Sequence, residues 1–202
     1  MKKTRIAVLV SGGGTNLQAL IDAQNSGIIT SGEIVLVVSN KSDAYALQRA
    51  QNAGIKTSVV LRKNFESRQF FEDGLIKILQ DEQIDMIVLA GFMCILGEKF
   101  INAFRDRIIN VHPSLIPSFC GEGYYGLKVH EKALEYGVKV TGATVHFVNE
   151  IPDGGKIIMQ KAVEILPDDT PEILQKRVME QAEWKILPLA TQMLAEKIKK
   201  ES

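Results

Sequence analysis

Cysteine, proline and tryptophan are scarce in this chain, at two, six and one among 202 residues. Cys94 and Cys120 are too few for a disulfide framework, so a reduced, cytoplasmic setting is the default expectation. With His112, His130 and His146 they form no CxxC or HxxxH spacing, and no metal is expected. Charge of one sign is missing too, since 24 Lys and Arg balance 24 Asp and Glu. That balance argues against nucleic-acid and membrane-surface partners, and the basic Lys197-Ile198-Lys199-Lys200 reads as a solvated helix end. Long hydrophobic runs are also absent. The first apolar run, Ile6-Ala7-Val8-Leu9-Val10 behind Lys2-Lys3-Thr4-Arg5, is too short for a signal sequence or a membrane span.

What the chain does have is 46% hydrophobic residues, enough at this length to bury one core. Apolar runs at 6–10, 34–38, 57–60, 86–90 and 107–111 have the form of buried parallel strands. Helical stretches at 15–26, 43–53 and 67–81 alternate with them, with Asn64 and Ser67 available as caps and Gly54 as a stop. This rhythm predicts an α/β fold, a doubly wound, mostly parallel Rossmann-like sheet with right-handed crossovers. After residue 126 the rhythm changes to a helix at about 127–136, an antiparallel strand pair at 139–148 and 156–165, and an amphipathic helix over 171–198. No repeat, low-complexity segment or linker interrupts the chain, so one domain over residues 1–202 is expected.

Three segments carry chemistry. Asn110-Val111-His112-Pro113-Ser114-Leu115-Ile116-Pro117 reads as the end of a buried strand breaking into a loop, where open α/β sheets put their sites. Asn110 and His112 lie two residues apart and so share a face, aiming an amide donor and an imidazole at one point. That pairing suits a carbonyl whose oxygen becomes negative during attack. Ser11-Gly12-Gly13-Gly14-Thr15-Asn16 joins the first strand to the first helix. It lacks the dinucleotide and P-loop signatures, which leaves a seat for a terminal phosphate on the N–H groups of Gly14, Thr15 and Asn16, or a glycine turn needed only for packing. Pro152-Asp153-Gly154 is a turn sequence, yet a carboxylate at Asp153 would favour a charged His112 and could relay a proton from an amine.

Five segments, taken in order, resemble the phosphoribosylglycinamide formyltransferase family over nearly the whole chain: 11–16, Ala90-Gly91-Phe92-Met93, 110–117, Gly142-Ala143-Thr144-Val145-His146-Phe147 and Asp153-Gly154-Gly155. The resemblance implies the formyltransferase fold and transfer of a formyl group from 10-formyltetrahydrofolate to the amine of 5-phosphoribosylglycinamide in purine synthesis. It makes Asn110, His112 and Asp153 the catalytic trio, and Gly14, Thr15 and Asn16 the phosphate seat in an N-terminal half of about 1–100. The folate would lie against Met93, Cys94, Ile95 and Leu96 and against Asn110, Asn149, Glu150, Ile151, Pro152 and Asp153, with Arg68 reaching it. Glu183, with Glu180, Gln181 and Ala182 beside it, would contact the glycinamide substrate.

Three departures from the family pattern stand out. Cys94 replaces an arginine, the 118–126 loop is longer and more aromatic, and the spacing from Arg177 to Pro188 is one residue longer. The loop is either a lid or a variant connection. Related families point elsewhere: methionyl-tRNA formyltransferases carry a further C-terminal domain and formyltetrahydrofolate hydrolases an N-terminal regulatory one, and neither is expected here. A non-catalytic nucleotide-binding module would explain the glycine loop but not the trio. A monomer and a homodimer are both compatible with the sequence.

Overall fold

A seven-stranded sheet of order β3-β2-β1-β4-β5-β6-β7 organises the computed structural model, which describes residues 2–201. The strands are β1 (Thr4–Val10), β2 (Gly32–Ser39), β3 (Lys56–Val59), β4 (Met86–Leu89), β5 (Ile108–His112), β6 (Val140–Phe147) and β7 (Ile157–Glu164). Pairing is parallel from β3 through β5, and antiparallel from β5 to β6 and from β6 to β7. Among the described residues seven α-helices pack around the sheet: α1 (Thr15–Asn25), α2 (Tyr45–Asn52), α3 (Arg68–Asp81), α4 (Glu98–Ala103), α5 (Leu127–Tyr136), α6 (Pro171–Val178) and α7 (Trp184–Glu201). Among the described residues no helix is long and apolar enough to cross a membrane.

Alternation along the central strand explains the layering. Ile6, Val8 and Val10 point into a core shared with α1, α2, α6 and α7, while Ala7 and Leu9 point into a second core with α3 and α4. Both faces are therefore dry, which is why β1 reads as a continuous apolar run. Ser67 caps α3 by accepting from Phe70 N at 3.2 Å. Asn64 instead ends a 3₁₀ turn, Arg62–Asn64, so the expectation that it caps a helix is corrected.

Two further differences have local causes. The six-residue α4 escapes a periodicity reading because it buries only Phe100 and Ile101. The single helix expected over 171–198 is interrupted by a π-helical turn, Met179–Glu183. A π turn takes up one extra residue, which matches the longer spacing from Arg177 to Pro188. Pro188 also has no N–H to offer the Trp184 carbonyl, so the ladder is weakened at the same place.

The chain winds from β1 through β2 to β3 on one side, then returns to place β4 against β1 on the other. Such a switch opens a crevice beyond the carboxyl ends of β1 and β4. The loops that follow these strands are tied there by a hydrogen bond from Met93 N to Ser11 Oγ at 2.7 Å.

Candidate active site

The antiparallel register of β5 and β6 sets Asn110 opposite His146 and His112 opposite Thr144. Thr144 Oγ1 donates to Ser114 O at 2.7 Å and accepts from Ile116 N at 3.1 Å, pinning the segment after His112. Asp153 arrives from the turn after β6, closed by Gly154 N donating to Ile151 O at 2.9 Å. Its φ of 55° lies in the left-handed region. Glycine would be the easier residue there, and Asp is among the few side chains that tolerate it.

The Asp153 carboxylate is the centre of the cluster. Oδ1 faces Asn110 Nδ2 and His146 Nε2, both at 3.5 Å, and Oδ2 faces His112 Nδ1 at 3.4 Å. Burial alone would raise its pKa, but the His146 hydrogen bond, the His112 charge and the Gly121 N–H outweigh that, so it is held below the usual carboxylate value. His146 Nδ1 donates to Phe147 O at 2.8 Å, and its Nε2 lies between Asp153 Oδ1 and Asn110 Nδ2, 3.2 Å from the latter. His146 was not singled out as a site residue in the sequence. Its place comes from strand register, and the sequence signals for it are its parity with Thr144 on β6 and its position within the 142–147 segment.

His112 is buried and its Nε2 donates to Phe119 O at 2.8 Å. With a carbonyl at one nitrogen and a carboxylate at the other, only an imidazolium would satisfy both. Burial pushes the other way and prevails over Asp153, so the pKa is lowered. The expectation of a ring kept charged by Asp153 is thus reversed in direction in this closed arrangement, because desolvation is the larger effect.

The closure is made by the 118–126 loop. Phe119 O covers His112, Gly121 N donates to Asp153 Oδ2 at 2.9 Å, and the Phe119 ring packs against Tyr124 and Tyr136 at 6.4 and 6.0 Å. This loop therefore lies over the trio. Cys120 within it donates to Pro117 O at 3.3 Å, and its thiol is pushed up by burial and by Asp153, which does not favour a thiolate nucleophile.

Gly14 starts α1 with φ 72°, and a side chain there would strike Ala46 Cβ at 2.6 Å. Asn16 Nδ2 donates to Glu183 Oε2 at 2.6 Å, so the π turn meets the glycine loop. Glu183 is buried, which raises its pKa to about 7 against the opposing Asn16 bond. Thr15 Oγ1 lies 3.7 Å from Met179 Sδ. The neighbours of Glu183 diverge: Glu180 and Gln181 are exposed and Ala182 is in the core. A cavity of about 570 Å³ touches Thr15, Arg49 and Trp184 on the outer side of α1, whereas the trio lines neither it nor a second cavity of about 360 Å³ beside Asn149.

On the other flank, Met93 and Ile95 are exposed, Leu96 is buried, and Cys94 Sγ accepts from Asn40 Nδ2 at 3.0 Å. Arg68 Nε pairs with Glu72 Oε1 at 2.7 Å, and the same oxygen accepts from Gly97 N at 2.8 Å. Arg68 is thereby held at the end of the 93–96 segment. In the facing loop Asn149 Oδ1 accepts from Ile151 N at 3.1 Å, Glu150 lies 3.5 Å from Arg105, Ile151 is exposed, and Pro152 precedes Asp153 in the turn.

The frame is a Rossmann-like α/β sheet with a switch point, and an amide, two imidazoles and a carboxylate meet beyond the ends of β5 and β6. The chain belongs to the formyl transferase family, whose pattern matches residues 4–191. It is 47% identical over 196 residues to the phosphoribosylglycinamide formyltransferase of Haemophilus influenzae, covering 97% of this chain and 88% of that one. It is also 45% identical to the trifunctional purine biosynthetic protein adenosine-3 of Homo sapiens, covering 96% of this chain but 18% of the larger protein. The crystal structure of glycinamide ribonucleotide transformylase 1 from Symbiobacterium toebii superposes with a TM-score of 0.91 at 42% identity, covering 96% of this chain and 89% of that one. That of phosphoribosylglycinamide formyltransferase from Brucella melitensis gives 0.87 at 42% identity, with 96% of each covered.

Proposed function

We propose that this chain transfers the formyl group of 10-formyltetrahydrofolate to the amine of 5-phosphoribosylglycinamide, a step of purine biosynthesis. The observation that carries the reading is the Asp153 carboxylate, with one oxygen toward Asn110 and the other toward His112. The name of the Haemophilus influenzae relative supports the substrate. Exposed Met93, Ile95 and Ile151 on the two flanking loops offer apolar cover for a flat pterin ring, and Arg68 suits the anionic end of a folate.

The chemistry follows from the groups present. Once the 118–126 loop withdraws, the neutral amine attacks the formyl carbon, forming a C–N bond as the carbonyl oxygen becomes an anion. Asn110 Nδ2 and the Nε2–H of His112 are donors for that oxygen, and such donors are worth about 3–4 kcal/mol each in a transition state. The oxyanion itself raises the proton affinity of His112, offsetting the burial that lowers it in the closed state. Asp153 accepts the proton lost by the amine, directly or through water. The bond from the formyl carbon to the folate nitrogen then breaks, and that nitrogen takes up the proton held by Asp153, directly or through water. Gly14, Thr15 and Asn16 hold the phosphate by their N–H groups, and Glu183 faces the rest of the glycinamide ribonucleotide.

A spectrophotometric assay of tetrahydrofolate release tests the reading. Release is expected only when 5-phosphoribosylglycinamide is present. Release without it would point to a hydrolase, and silence with both substrates would leave a binding module.

A further inference from the structure

We infer that Arg49 is a positioning residue for the phosphate seat, fixing the peptide planes whose N–H groups receive the anion. The inference rests on the reading of residues 14–16 as that seat. Helix α2 grips the glycine loop from behind: Ala46 N, in its first turn, donates to Gly12 O at 3.0 Å, and Arg49 Nε, further along, to Gly13 O at 2.8 Å. Because a peptide plane is rigid, holding the Gly13 carbonyl toward α2 turns the following N–H, that of Gly14, the opposite way. The conformation gains little from the loop itself, since glycines have the most backbone freedom to lose. No side chain caps α1, and its first turn contains no acidic residue.

Arg49 is itself held on three sides. Nη1 donates to Gln18 Oε1 at 3.2 Å, Gln18 Nε2 in turn donates to Asp22 Oδ1 at 2.9 Å, and the guanidinium lies 5.0 Å from the centre of the Tyr45 ring. Among the described residues no carboxylate forms an ion pair with it. Arg49 therefore brings both a fixed fork and an uncompensated positive charge to the rear of the loop. Lysine could supply the charge but neither the fork nor the planar stacking.

The test compares 5-phosphoribosylglycinamide with its dephosphorylated nucleoside as formyl acceptors. Arg49→Met is expected to raise KM for the phosphorylated acceptor about tenfold, the size of one charge-assisted hydrogen bond, with kcat unchanged and the nucleoside unaffected. Arg49→Lys is expected to stay close to Arg49→Met. Should either Arg49 variant fail to fold, Tyr45→Leu, at a side chain 59% exposed, removes only the stacking support and is expected to raise the same KM about threefold. Unchanged KM in the variants, equal rises for both acceptors, or full recovery by lysine would overturn the inference. If wild-type protein does not distinguish the two acceptors, the phosphate seat itself is wrong, whatever Arg49 does.

Discussion

The backbone N–H of Gly121 donates to Asp153 Oδ2 at 2.9 Å. Two residues earlier the Phe119 carbonyl accepts from His112 Nε2. An N–H on the carboxylate and a carbonyl on the imidazole are the partners that an attacking amine and a developing oxyanion would supply. Under the proposed chemistry the loop occupies both places and has to leave before substrates use them. Tyr136, 80% exposed and edge-on to Phe119, is an anchor that can be removed without touching the trio. Such a ring contact is worth about 0.5–1.5 kcal/mol. Tyr136→Ala should therefore speed amide exchange at Gly121 by about twofold to tenfold and raise kcat/KM by the same factor. A fall in kcat/KM with faster exchange would mean that the closed loop assists the chemistry instead.

His112→Ala and Asp153→Asn should each lower kcat by about 10²–10³, the cost of a lost transition-state donor or its support. Asn accepts the left-handed backbone of position 153, so the turn should survive that change. Calorimetric titration should show binding of the phosphorylated substrate largely kept. Binding lost in proportion to turnover would make these residues part of the fold's support.

The parts of the site carried by local sequence were legible. Asn110 and His112 share a strand face, and glycine loops before helices have few uses. Asp153 is joined to His112 by the chemistry of a carboxylate beside an imidazole and by the family resemblance, since no periodicity encodes a contact across 40 intervening residues. His146 was passed over because its partners are chosen by the antiparallel register of β5 and β6, which a single sequence does not specify. At His112 the limit is a different one. A neighbouring carboxylate can be proposed from sequence, but the degree of burial that outweighs it cannot.

Glu183 links function to stability. Its folded-state pKa of about 7 lies above the ordinary 4.5, so the native state takes up a proton first as pH falls. The penalty for burying the charge is full above pH 7 and gone below about 4.5, a difference on the order of 3 kcal/mol. Glu183→Gln keeps an acceptor for Asn16 without the charge. Denaturant titration should show it more stable than wild type at pH 8 and equal at pH 4.5, while KM for the ribonucleotide rises. Equal stability at pH 8 would mean that the carboxylate is not desolvated.

His130 acts in the opposite direction over nearly the same window. It is fully buried on α5, neither ring nitrogen has a hydrogen-bond partner among the described residues, and burial followed by the His112 charge holds its pKa at about 4. A folded value below the ordinary 6.5 means that the unfolded chain protonates first as pH falls. Its contribution is full above pH 6.5 and lost by about pH 4, again on the order of 3 kcal/mol. Between pH 6.5 and 4.5 the gain at Glu183 and the loss at His130 nearly cancel, so these two groups leave the stability of the wild type almost level there. Each substitution should expose the other group: His130→Leu should grow more stable from pH 6.5 to 4.5, and Glu183→Gln less stable. Parallel pH profiles for the two variants, measured by denaturant unfolding at several pH values, would show that neither group titrates in the fold as its burial requires.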